Sequence, residues 1–126
     1  MDETLEREFA EYALQEETLL AYHEGMYAVI YKEMVLDIFW SWQDAFRQGW
    51  KKFKNVQFLV REINRHKPLE YWYPLYHDER KFIVHQKEAG VTIWTPDFKI
   101  QSFGVNPEHA VEEIMDIIRE KEWLDS

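Results

Sequence analysis

At 126 residues, 46% of them hydrophobic and 17% aromatic, the chain has material for one compact domain or two subdomains sharing a core, and is not a disordered segment. It has no cysteine, which excludes disulfides, thiolate metal sites and cysteine nucleophiles. A net charge of −9 argues against non-specific binding to nucleic acid.

The first expected element is an amphipathic helix from Glu3 to about Tyr22, with Leu5, Phe9, Tyr12, Leu19 and Leu20 on one face and glutamates over much of the other. Gly25 ends it or begins the next turn. Met26–Tyr31 and Met34–Phe39 read as a strand pair, although Lys32-Glu33 is poor chemistry for a two-residue turn. Ser41 with Asp44 resembles a capping box and opens a helix to about Phe53, whose inward stripe is Ala45, Phe46, Gly49, Trp50 and Phe53. Gly49 in that stripe implies close approach of a neighbouring strand. Gln57–Ile63 is the next strand, with Phe58 and Val60 on one face and Leu59 and Ile63 on the other.

Asn64–Asp78 reads as a partly extended connector, bounded by Pro68 and Pro74 and dense in aromatic residues. Strands follow at about Lys81–Gln86, Val91–Thr95 and Lys99–Phe103. Asn106 as cap, Pro107 at the first helical position and Glu108 near the helix dipole start a final helix that runs to about Trp123. Its inward face is Ala110, Val111, Ile114, Met115, Ile117 and Ile118.

A unit recurs at an offset of 65. Gly25-Met26-Tyr27-Ala28-Val29-Ile30 returns as Gly90-Val91-Thr92-Ile93-Trp94-Thr95, and Ser41-Trp42-Gln43-Asp44-Ala45 as Asn106-Pro107-Glu108-His109-Ala110. The expected fold is therefore α+β. Two strand–strand–helix units place helices on antiparallel sheet behind an N-terminal amphipathic helix. One domain spans 1–126, with halves 1–63 and 79–126 joined by the connector 64–78.

Two resemblances fit this layout. Gly25, Ala28-Val29-Ile30, Ser41, Ala45, Gly49 and Phe58-Leu59-Val60 make residues 25–63 similar to short uncharacterised bacterial proteins of strand-strand-helix-strand pattern. Phe82-Ile83-Val84, Gly90, Val91–Trp94, Pro96-Asp97, the capped helix start and Ala110 make residues 81–118 resemble the N-terminal module of HicB-type antitoxins. That resemblance implies a small module that binds and blocks an RNase toxin. Such antitoxins usually append a DNA-binding segment, and here only eight residues follow the matched stretch. Neither resemblance supplies site residues.

From Arg47 to Lys67 seven cations face one carboxylate, Glu62, for a local charge of +6, so the remainder carries −15. Lys51, Lys52, Lys54, Arg61 and Arg65 are the candidates for holding an anion, beside Trp50, Phe53 and Phe58 as stacking partners. Core spacing of those aromatics favours the alternative, that the lysines are ordinary solvated charges. Tyr71, Trp72, Tyr73 and Tyr76 are the candidate partner-binding residues, since tyrosine and tryptophan are favoured at interfaces. The competing reading makes them intramolecular cover for the sheet.

His23, His66, His77, His85 and His109 have no metal-ligand spacing, and His77-Asp78-Glu79 with His85 is the densest group. No carboxylate pair, nucleophile elbow or phosphate-cradling glycine loop stands out; Ser41 reads as a cap, and neither Ser102 nor Ser126 lies in such an elbow. No cofactor and no enzymatic activity are expected.

The acidic start (Asp2, Glu3, Glu6, Glu8) is not a secretory leader, and no apolar stretch is long enough for a membrane, so a soluble cytoplasmic protein is expected. The leading expectation is a non-enzymatic protein-binding or regulatory module, antitoxin-like. An acidic nucleic-acid mimic and an anion binder are the alternatives. A homodimer is also expected, through strand edges at Val91–Trp94 or Phe58–Val60, or through the basic segment meeting an acidic helix of a second copy.

Overall fold

The computed structural model describes residues 3–54, 56–65 and 69–125. His66, Lys67 and Pro68 of the basic run and connector, and Asp2 and Ser126, lie outside the described residues. The fold is α+β; the described residues form three helices and seven strands, and every described strand pairing is antiparallel. The chain divides into two compact units, Met1–Pro74 and Leu75–Ser126.

In the first unit, α1 (Glu3–His23) precedes a hairpin of β1 (Tyr27–Tyr31) and β2 (Met34–Phe39). Helix α2 (Trp42–Phe53), β3 (Leu59–Glu62) and β4 (Tyr71–His77) follow, and the strands lie in the order β2-β1-β3-β4. Ala28, Val29 and Ile30 are all buried in succession, which a strand achieves only when both its faces are covered. Ala28, Arg61 and Tyr71 are in register on the face that α1 covers. Val29, Val60 and Trp72 are in register on the face of α2.

Ser41 caps α2, its hydroxyl accepting from the Asp44 N–H at 3.2 Å. Ala45, Phe46 and Gly49 form the helix's buried stripe. A Cβ at Gly49 would lie 2.4 Å from the ring of Phe58, which is held against Phe46 and Phe53. Gly49 thus admits one side chain leading into β3.

The β1–β2 turn exposes what the helix pattern hid. Glu8 falls on the same face of α1 as Leu5 and Tyr12, and is only 2% exposed. The Lys32 N–H donates to its Oε2 at 2.5 Å, while its Oε1 is buried without a hydrogen-bond partner. Lys32 sits at φ 53, a conformation unfavourable for lysine, so a carboxylate from 24 positions away completes a turn that Lys-Glu closes poorly by itself. Glu8 is thus the glutamate of α1 that lies on the inward face rather than on the acidic one.

Burial pushes the Glu8 carboxyl above the usual carboxylate range, against the lowering by the Lys32 N–H bond and the nearby Arg7 and Lys32 charges. The folded chain therefore holds this proton more tightly than the unfolded one. Its contribution is fully present below the unfolded value of about 4.3 and is lost as pH rises through the folded value. The stability of wild type minus that of Glu8→Gln should fall across that window, because the glutamine carbonyl still accepts from Lys32 without titrating. Urea unfolding of both proteins from pH 4 to 8 measures it; a pH-independent difference would refute the assignment.

The second unit contains β5 (Arg80–Gln86), β6 (Val91–Trp94), β7 (Gln101–Gly104) and α3 (Pro107–Asp125), with strand order β5-β6-β7. Asp78 and Glu79 at φ 49 and 63 form the tight two-residue turn into β5. Asn106 caps α3 by accepting from the His109 N–H at 2.9 Å, and Pro107 is the first helical residue. Ala110, Ile114, Met115 and Ile118 are buried beneath α3. Ser102 fastens helix to sheet, its hydroxyl donating to the Ala110 carbonyl at 2.6 Å. Strand β7 begins two residues later than expected because Asp97 accepts from Thr95 and from the Lys99 N–H, which commits Lys99 to the turn.

Glycine at positive φ, two strands and a capped helix occur in both units, with Ala45 and Ala110 both fully buried. The third strand differs: β3 follows its helix, whereas β5 precedes its hairpin. The expected sticky edges are corrected as well. Val91–Trp94 lies between β5 and β7, and Phe58–Val60 leads into β3 between β1 and β4, so these segments are interior. β2 is an outer strand of the first unit's order and β7 of the second's.

Candidate binding surface

The candidate aromatic residues all lie in β4, which replaces the later part of the expected connector. Trp72 (3% exposed) and Tyr73 are core residues and are corrected as partner contacts. Trp72 stacks on Trp42 at 5.3 Å and meets Tyr27 edge-on at 5.6 Å. Tyr71 is half-buried against Phe9 of α1, with ring centroids 4.9 Å apart. Tyr76, half-buried, lies beyond the division between the units. Tyr71, Trp72 and Tyr73 thus make intramolecular contacts, from a strand within the sheet rather than from a cover laid over it.

The candidate anion site does not assemble. Lys51, Lys52 and Lys54 are exposed at the C-terminal end of α2, where cations complement the helix dipole. Arg61 projects from the opposite face of the sheet onto α1. Its guanidinium lies 3.8 Å from the centre of the Tyr12 ring and 3.9 Å from the Glu16 carboxylate. Burial lowers its pKa, opposed by Tyr12 and Glu16. Arg65 is exposed beyond β3. The sequence run is basic, but the fold distributes it over two faces.

β2 of the first unit and β7 of the second are finished differently. In β2 the register shifts opposite Val29 and Ile30, a bulge that distorts the edge. Ladder alternation, counted from the Ile63 N–H bond to Met26 O, turns the Ile38 N–H away from β1. The Asp37 carboxylate accepts that N–H at 2.8 Å. Bulge and carboxylate together close this edge.

Strand β7 has no such finish. The Thr95 N–H bonds the Ile100 carbonyl, so alternation makes Ile93–Ser102 and Val91–Gly104 the bonded pairs of the ladder. The N–H and C=O of Gln101 and Phe103 therefore face outward. Beside them Phe103 is 55% exposed and Val105 is 69% exposed. An open groove of about 500 Å³ runs here, lined by Phe103, Val105, His109, Glu112, Glu113 and Asp116. The carboxylates are all exposed, and Arg119 pairs with Asp116 at 3.3 Å. Among the charged residues that line the groove, three are acids and none is lysine or arginine.

This surface was missed because a strand's place in the sheet is not written in its own residues. No signal in Gln101-Ser102-Phe103-Gly104 marks it, since polar Ser102 is buried and apolar Phe103 exposed, the reverse of the alternation a half-buried strand shows.

The chain matches no protein family, no curated protein and no solved structure in the comparisons made. Among the described residues no group of three potential metal ligands converges, and no helix is long and apolar enough to cross a membrane.

Proposed function

We propose that the chain is a non-enzymatic protein-binding module that receives a strand of its partner along β7. The observation that carries this reading is the open β7 edge, with the Gln101 and Phe103 backbone groups facing outward beside exposed Phe103 and Val105. Edge addition uses main-chain hydrogen bonds for affinity and alternate side chains for specificity. The resemblance to HicB-type antitoxins supports a regulator that blocks a partner protein in the cytoplasm, since residues 81–118 supply β6, β7 and the buried face of α3.

The test is affinity capture from native lysate with wild type and Phe103→Pro. Proline suits an edge strand whose N–H points to solvent, so the β6–β7 ladder is retained while the outward donor is removed. A protein captured by wild type and lost with Phe103→Pro is the expected result. Capture that the substitution leaves unchanged, or no captured protein at all, would end this reading.

A further inference from the structure

We propose that the strand accepted by β7 is basic and amphipathic, with cations at alternate positions on its α3 side and apolar residues on the other. This rests on the edge-binding reading above. An added strand lies about 4.8 Å from β7 and sends successive side chains to opposite faces. Ser102 and Gly104 mark the face on which α3 sits, so the guest's side chains there run along Glu112, Glu113 and Asp116. Phe103 points to the other face, where the guest presents its apolar residues.

Charge selects among occupants. A lysine or arginine on the α3 side meets three carboxylates beside which, among the described residues, Arg119 is the cation seen paired, with Asp116. A second copy pairing β7 with β7 about a two-fold axis perpendicular to the sheet would bring two α3 helices to the same face. The Glu112 and Glu113 clusters would then approach each other, and like charges there oppose pairing. A basic partner strand is the occupant that the groove fits.

The probe is a fluorescein-labelled ten-residue peptide of alternating lysine and valine, with a counterpart carrying glutamate for lysine, titrated onto the full chain by anisotropy. The lysine peptide should bind and weaken by about tenfold between 50 and 300 mM NaCl, as screening of exposed charges requires. The double substitution Glu112→Gln/Glu113→Gln should weaken it about fivefold or more, while Phe103→Pro abolishes binding. A lysine peptide N-methylated at alternate residues, tested on wild type, should also fail, and it checks backbone pairing without altering the protein.

If both peptides bind equally and both are lost with Phe103→Pro, the charge inference is overturned and edge binding stands. If the lysine peptide binds regardless of N-methylation and of Phe103→Pro, it is an electrostatic contact of α3, and both readings fall. Binding of neither peptide overturns the inference, with the lysate capture above left to decide the edge reading.

Discussion

Trp72→Ala is expected to lower the unfolding free energy by about 3–5 kcal/mol, the cost of truncating a large aromatic residue in a packed core. Trp72 is clamped between Trp42 and Tyr27 and stands beside Val60 in the β3–β4 register, so no neighbour is free to fill its space. An interface residue would behave otherwise, with stability kept and association lost. Urea unfolding followed by circular dichroism reads the first effect and light scattering the second. A stability loss below about 1 kcal/mol would contradict the placement of Trp72 in the core.

Gly104→Ala is expected to cost about 3 kcal/mol, the upper range for overpacking. The added Cβ would lie 2.6 Å from the backbone nitrogen of Ala110 and 3.1 Å from its Cα. Backbone cannot rotate aside as a side chain does. The start of α3 is further fixed by the Asn106 cap and by the Ser102 bond to the Ala110 carbonyl. Relief requires the helix to lift from β7, which uncovers Ile93 and Ile114 as well. The same urea measurement checks this; near-wild-type stability would show that α3 shifts without cost.

The contrast between these sites and the β7 edge explains how far the sequence can be read. Caps and helical stripes are local, so Ser41, Asn106 and the inward residues of α3 were recognisable from spacing alone. Glu8 satisfies the same spacing as Leu5 and Tyr12, but a carboxylate at that spacing carries no sign of burial. Only the distant Lys32 N–H shows its role. Strand β4 was obscured by Pro74, which lies outside the described β3–β4 pairs at Trp72 and Tyr71, so its missing N–H takes nothing from those pairs. The edge position of β7 is a property of topology. Gln101–Gly104 reads the same whether or not another strand lies beyond it.

The finishing of β2 by its bulge and Asp37 has a bearing on how far association can run. Fibrous growth by edge pairing needs two compatible growth ends per molecule, one to add to and one to add with. Within the first unit the bulge and Asp37 disfavour pairing along β2, whereas within the second unit β7 keeps its outward groups open. A molecule added at β7 therefore finds no matching growth end at β2 to extend from.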